Sequence, residues 1–172
     1  MEVAPMDFQK ELIAEYDREA ASTRKILEAI PEDFDPEYKP HAKSMKFGRL
    51  AGHVAETTGE WAIHTLTTDG MIFEPGHKFE PYIPATKAAL LERFDKEVAE
   101  VKTALASIDP AKWYETWKMG ANGQIWIEDS KYRVWRVWVI SHAAHHRAQL
   151  GVYLRLLDKP LPGTYGPSAD EM

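Results

Sequence analysis

Cysteine is absent from this chain of 172 residues. Disulfides and thiolate metal ligands are therefore excluded, and a metal could be held only by nitrogen or oxygen atoms. The chain also lacks any run of Lys or Arg, and its net charge is -6. A direct nucleic-acid partner is not expected, because binding to a phosphate backbone requires a basic surface.

Long apolar runs are missing as well. No stretch approaches the roughly 18 consecutive apolar residues that suggest a membrane-spanning helix, and residues 1–10 lack the apolar segment of a secretion signal. We therefore expect neither secretion nor membrane insertion, and a cytoplasmic location. Hydrophobic residues make up 44% and charged residues 28% of the chain, which is typical of a globular protein. Residues 1–172 are predicted to form one domain.

Four segments have the apolar periodicity of amphipathic helices, at about residues 6–30, 44–70, 84–109 and 131–157. The first is predicted to begin near Met6, and the second to have its N-cap at Ser44 and to end at Gly70. Residues 31–43 and 71–84 are rich in proline and predict loops. An Asn-Gly pair within residues 113–130 indicates a short β-hairpin or an ordered loop. The sequence therefore predicts an all-α fold, a four-helix bundle with this hairpin or loop before the last helix.

Three glycines interrupt the second helix, at Gly48, Gly52 and Gly59. Each weakens a helix by up to about 1 kcal/mol relative to Ala. We therefore expect another part of the chain to approach this helix closely.

The last helix carries two histidines at a spacing typical of metal ligands. His142 and His146 are four residues apart, so both side chains lie on one helix face and can reach one ion. His145, three residues after His142, is nearly as well placed, and spacing does not decide between His145 and His146. Two ligands on one helix require a third from elsewhere to make an open, catalytic-type site.

His53, in the second helix, is the leading candidate for that third ligand. His64 lies about 16 Å further along the same helix, so at most one of the two can join the last helix. The metalloprotease pattern His-Glu-x-x-His is absent, because Ala143 stands at the glutamate position. The chain has seven histidines in all: His41, His53, His64, His77, His142, His145 and His146.

Residues 141–149, Ser-His-Ala-Ala-His-His-Arg-Ala-Gln, resemble the N/S-H-x-x-x-H-R-G-Q segment of the DinB-like superfamily of DNA-damage-inducible proteins and their thiol-transferase relatives. Residues 50–56 look like the histidine segment in that family's second helix. Residues 117–129 resemble its insertion before the last helix, and residues 166–171 its carboxyl-terminal tail. Ala148 stands where the family often has Gly, a change that a helix accepts readily. The resemblance spans essentially the whole chain.

The resemblance implies a bundle of up-down-down-up topology with a metal held by three histidines at one end. By position these are His53, His142 and His146, rather than His64 or His145. Zn²⁺ or Ni²⁺ is the expected ion, since both accept imidazole ligands. We also expect the chain to form a homodimer.

In the family's characterised branch, the metal is thought to activate a low-molecular-weight thiol such as bacillithiol or mycothiol. The resemblance therefore implies a metal-dependent thiol S-transferase, or a related detoxification enzyme, acting on an electrophilic small molecule. The alternative is a stress-response bundle that binds metal without turnover. No catalytic residue is assigned.

The roles of three polar side chains stay open. Glu56, one turn after His53, could orient that ligand, act as a general base or be a solvated helix charge. Arg147 and Gln149 could orient a ligand or bond to the tail. Aromatic residues on the last helix could wall a pocket, although such residues usually belong to the core; they are Trp135, Trp138 and Tyr153.

Overall fold

The computed structural model describes residues 7–172. Met6, at which the first helix is expected to begin, lies outside the described residues. The helices are α1 (Phe8–Glu28), α2 (Phe47–Thr58), α3 (Glu60–Thr67), α4 (Lys87–Ser107), α5 (Lys131–Val134) and α6 (His142–Leu156). A 3₁₀-helix covers Pro110–Tyr114, and a π-helical segment covers Trp135–Ser141. The strands are β1 (Gly70–Phe73), β2 (Thr116–Ala121) and β3 (Gln124–Ser130).

The three strands form one mixed sheet in the order β1-β2-β3. β2 and β3 are antiparallel, and their turn places Asn122 and Gly123 at φ values of 51° and 77°, as a two-residue hairpin turn requires. β1 pairs with β2 in parallel, with Gly70 opposite Lys118. The prediction of an all-α fold is therefore wrong. The chain is a mixed α/β structure. Residues Gly70–Phe73, predicted to end a helix and begin a loop, instead form β1, which extends the hairpin into a sheet.

The second predicted helix is broken at Gly59 into α2 and α3. Its bounds also differ from the prediction, because Lys46 rather than Ser44 is the N-cap, and the helix ends at Thr67. Gly70 does not terminate the helix but lies in β1 against the Lys118 backbone. The expected close packing is present, since a Cβ at Gly52 would overlap the carbonyl oxygen of Tyr82.

The last helical stretch is continuous from Lys131 to Leu156 but changes its winding in the middle. Ser130 is its N-cap and accepts a hydrogen bond from the backbone N–H of Arg133. Residues 135–141 then form wider turns, in which the backbone hydrogen bonds join residues five apart. This π-helical segment ends at Ser141, so it directly precedes His142, the first predicted metal ligand on α6.

Helix packing brings α2 against α6 and α1 against both α4 and α6. One core cluster joins α2, α4 and α6 and includes Phe47, Leu50, Phe94 and Leu154, while another surrounds Trp135. A smaller cluster lies under the sheet around Trp117, Met119 and Ile127. None of the helices between residues 7 and 172 is long and apolar enough to cross a membrane.

Candidate metal centre

The contact between α2 and α6 brings three histidines together. His53 projects from α2, and His142 and His146 project from the facing side of α6. One nitrogen from each ring lies within 4.8 Å of the other two. The Nε2 atoms of His142 and His146 are 2.9 Å apart, and the ring centroids of His53 and His146 are 4.5 Å apart.

Glu56 supports the His53 ring from the same helix. Its Oε2 lies 3.2 Å from His53 Nδ1 and accepts a 2.6 Å hydrogen bond from Arg49 Nη1. Its Oε1 accepts a 2.8 Å hydrogen bond from the backbone N–H of Tyr82. Burial alone would raise the pKa of Glu56, but the hydrogen bonds from His53 and Tyr82 and the charge of Arg49 hold this pKa below its ordinary value. Glu56 is therefore an ionised, buried side chain with both oxygens engaged, which fits the orientation of His53 and not a free general base.

His53 Nδ1 has two neighbours with opposite requirements. Glu56 can only accept a hydrogen bond, whereas Arg49 Nη2, also 3.2 Å away, can only donate one. A proton on Nδ1 satisfies the carboxylate and leaves the Nε2 lone pair free. This tautomer is the one in which His53 can bind a cation through Nε2.

Gln149 orients His146 in a similar way. Its Oε1 lies 2.7 Å from His146 Nδ1, so that nitrogen donates the proton and Nε2 keeps its lone pair. The amide Nε2 of Gln149 lies 3.1 Å from Nε2 of His145, an exposed ring outside the three-histidine group. Gln149 therefore contacts the histidine group and not the carboxyl-terminal tail.

His142 completes the group with few hydrogen bonds of its own. Its Nδ1 is buried and has no hydrogen-bond partner among residues 7–172. The carbonyl of Trp138 favours protonation of this ring, but its geometry falls short of a hydrogen bond. If His142 and His146 both carry their proton on Nδ1, their Nε2 lone pairs face each other and repel unless a cation or a proton lies between them. This donor set fits a divalent metal ion.

Both α6 imidazoles are neutral at pH 7 in the metal-free protein. Burial, and after it the neighbouring imidazoles of His146 and His53, lower the pKa of His142 to about 4. Burial likewise lowers the pKa of His146 to about 4, against the effect of Gln149. Neutral imidazole is the form that binds metal.

Two tryptophans wall the three-histidine group. The Trp61 ring centroid lies 5.3 Å from that of His53 and 5.4 Å from that of His142. Trp138 lies 5.4 Å from His142. Trp135 and Tyr153, the other aromatic residues considered for a pocket wall, are buried in the core. Trp61 could have been recognised from its position eight residues after His53, about two helical turns.

Arg147 lies on the opposite side of α6. Its Nη1 donates to the Glu19 carbonyl and to Thr23 Oγ1 at 3.0 and 3.1 Å. Its Nη2 donates to Glu19 Oε2 at 2.7 Å and to the Tyr165 hydroxyl. That hydroxyl in turn donates to Glu19 Oε2 at 2.9 Å. Arg147 therefore binds α1 and the carboxyl-terminal tail, which resolves its open role.

Two cavities meet beside the three-histidine group. An apolar cavity of about 340 Å³ lies between Trp61 and the sheet, and Met119 and Trp126 line its far side. A second cavity of about 560 Å³ adjoins it, shares several of its walls and also includes His64, Lys78 and Glu80 in its lining. His64 therefore faces the second cavity and is not brought to the other three histidines.

Known proteins resemble the chain at the level of family and fold. Residues 6–172 match the model described as the DinB family. A solved structure, described as a DinB-like protein from Bacillus cereus ATCC 10987, superposes with a TM-score of 0.65 at 19% sequence identity. The match covers 91% of this chain and 97% of that chain. This likeness shows the fold alone, and among curated proteins none matches the chain significantly.

Proposed function

Because this chain belongs to the DinB family, we propose that it binds one divalent transition-metal ion through His53, His142 and His146 and catalyses thiol S-transfer to an electrophile. The observation that carries the proposal is the convergence of three imidazole nitrogens within 4.8 Å. Three protein ligands leave a coordination position for an exchangeable ligand, as in catalytic zinc sites.

A Zn²⁺ or Ni²⁺ ion bound there would lower the pKa of a thiol at the open position, so that thiolate is present near neutral pH. In the proposed transfer, the thiol sulfur forms a bond to an electrophilic carbon. The bond from that carbon to its leaving group breaks, the leaving group keeps the electron pair, and the thiol proton passes to solvent. The chain has no cysteine, so the thiol must come from a small cosubstrate.

The residues around the three histidines hold and shield them. Glu56 and Gln149 fix the rings of His53 and His146 through their Nδ1 atoms. Trp61 and Trp138 pack against the rings of His53 and His142. Preorganised ligands of this kind favour metal binding without a further rearrangement of the protein.

Metal binding is tested first. Protein loaded with Zn²⁺ or Ni²⁺ and freed of excess metal should retain about one ion per chain by elemental mass spectrometry. His142→Ala should lose the ion, because two nitrogens remain, whereas the control His145→Ala should retain it. Equal retention by wild type and His142→Ala would contradict the proposed site.

Turnover is tested separately with monochlorobimane and bacillithiol, mycothiol or glutathione. We expect metal-dependent product formation with at least one thiol, and none in the metal-free protein. If the ion binds stoichiometrically and no thiol reacts above the metal-free control, the chain is a metal-binding protein without this activity.

A further inference from the structure

We infer that the apolar cavity beside Trp61 is a binding site for a flat, uncharged, apolar group of one or two aromatic rings. Its walls include Trp61, Met71, Phe73, Phe79, Met119 and Trp126. Its volume of about 340 Å³ falls within the range of small-molecule sites. That this group carries the electrophilic carbon rests on the proposed thiol transfer, but the binding itself does not.

The side chains that line this cavity disfavour a charged ligand group. Among residues 7–172, no Asp, Glu, Lys or Arg side chain lines this cavity. A charged ligand group would lose its hydration there without gaining an ionic partner. Two methionines face the aromatic walls, and their flexible, polarizable side chains adapt to ring-shaped ligands of different outline. His77 stacks on Phe73 with ring centroids 4.7 Å apart and thus presents a ring face as well.

The exposure of two walls also points to a ligand. Phe79 and Trp126 keep 51% and 60% of their surface accessible although both border the cavity. Large aromatic side chains left uncovered around one concave site are typical of a surface that a ligand covers. Phe79 lies in the segment between β1 and α4, and Trp126 lies on β3.

The cavity lies where a transfer reaction at the three-histidine group would need its second substrate. Trp61 forms one wall of the cavity, and the same ring contacts His53 and His142. The segment that carries Phe79 is also tied to the histidine group, because Tyr82 N donates to Glu56, which contacts His53. The adjoining second cavity also includes the charged side chains of Glu60, Lys78 and Glu80. Charged groups of either substrate can therefore be placed there, next to the apolar cavity.

A matched pair of fluorescent probes tests the binding site on the metal-free protein. N-phenyl-1-naphthylamine is uncharged, and 1-anilinonaphthalene-8-sulfonate has the same rings with one negative charge. We expect saturable binding of the uncharged probe and binding of the sulfonate at least about tenfold weaker, because the sulfonate must be desolvated. Equal or tighter binding of the sulfonate would overturn the inference.

Two neighbouring residues on β3 supply the variant and its control. Trp126 lines the cavity, whereas Ile125, 46% exposed, points to the other face of the strand. Trp126→Ala should weaken binding of the uncharged probe by about tenfold, and Ile125→Ala by less than about twofold. Equal effects would show that the probe binds to exposed apolar surface in general. Ala121→Trp, which fills the cavity from β2, should abolish binding if the site is correct.

The link to the three-histidine group is tested with Co²⁺, which quenches nearby fluorophores. The fluorescence of bound N-phenyl-1-naphthylamine should be lower in Co²⁺-loaded than in Zn²⁺-loaded protein, and His142→Ala should remove the difference. Failure of Co²⁺ to bind would contradict the proposed function and leave the ligand site standing. Binding of Co²⁺ without quenching would contradict the assignment of this cavity to the transferred group.

Discussion

The two sides of α6 differ in how their buried polar side chains are paired. On one side, the buried guanidinium of Arg147 donates to four oxygen atoms on α1 and the tail. On the other side, His142 and His146 turn their Nε2 atoms toward each other and toward His53. His146 and Arg147 are adjacent in the sequence, yet the His146 ring keeps a free lone pair on Nε2, whereas the Arg147 guanidinium is paired with four oxygen atoms.

This difference distinguishes a polar group that is satisfied within the protein from polar groups whose arrangement is consistent with a bound cation. A buried cation that meets complementary acceptors stabilises the contact between helices and needs no ligand. Buried lone pairs that converge on one point are unfavourable until a cation joins them. Burial alone would not distinguish the two sides, because Arg147 and His146 are both buried.

The largest expected effect is on the paired side. Arg147→Met removes the cation and leaves the buried Glu19 carboxylate with Tyr165 as its remaining side-chain partner. The free energy of unfolding should fall by about 3–5 kcal/mol, as for other broken buried ion pairs, in urea denaturation. Metal binding by the folded fraction should be retained.

Arg155→Met is the matched control for this substitution. Arg155 lies on the same helix and pairs with Asp170 at the exposed surface. Its loss should have a much smaller effect on stability, because exposed ion pairs contribute little. Similar effects of the two substitutions would contradict the structural role of Arg147.

A smaller effect is expected when the Glu56 carboxylate, which orients His53, is replaced. Glu56→Gln removes the negative charge that favours a proton on His53 Nδ1, while it keeps an oxygen that can accept from Tyr82 N. The dissociation constant for Zn²⁺ should rise about 10- to 100-fold, as measured by competition with a chromophoric chelator.

Glu60→Gln serves as the control for Glu56→Gln. Glu60 follows one turn later and pairs with Arg93 without contacting a histidine of the site. Its substitution should leave zinc affinity unchanged. An equal loss in both variants would assign the effect to overall charge and not to the Glu56–His53 contact.

The last expected effect is a pH dependence of the metal-free protein. The pKa values of His142 and His146 are about 4 in the folded chain, against about 6.5 in an unfolded one. Between these values the unfolded chain binds more protons, so stability falls as pH decreases from about 6.5 toward 4. Denaturation at pH 6.5 and 5 should show a decline that is smaller in the double variant His142→Gln, His146→Gln. An unchanged decline would place the responsible groups elsewhere.

Local patterns in the sequence predict that α6 supplies two ligands but do not identify the complete group. Helix geometry pairs His142 with either His145 or His146, and only the resemblance to a family selects His146, as it selects His53 over His64. The structure brings His53 to the pair, and their role as metal ligands stays a prediction. Glu56 could not be assigned from sequence, because its second oxygen is bound by the Tyr82 backbone, 26 residues further along the chain.

The sheet is harder still to predict from local patterns in the sequence. The hairpin of β2 and β3 is local and has an Asn-Gly turn, so its position could be predicted. β1 has four residues, Gly-Met-Ile-Phe, and pairs with residues 118–121. A strand this short has little alternation to recognise, and its parallel partner lies far away in the chain. The all-α prediction failed for that reason. The cavity between Trp61 and the sheet could therefore not be predicted either.

The π-helical segment at Trp135–Ser141 determines the rotational phase of α6. Such segments arise when one residue is inserted into an α-helix, and the wider turn absorbs the extra residue, so that the residues after it keep their rotational position. Deletion of one residue between 135 and 141 should therefore restore regular winding and leave His142 and His146 facing His53. If all the present residues were instead wound as a regular α-helix, the remainder of the helix would turn by about 100°. His142 and His146 would then leave His53, and Arg147 would leave Glu19. The extra residue held in the wider turns thus keeps both groups of contacts assembled on one helix.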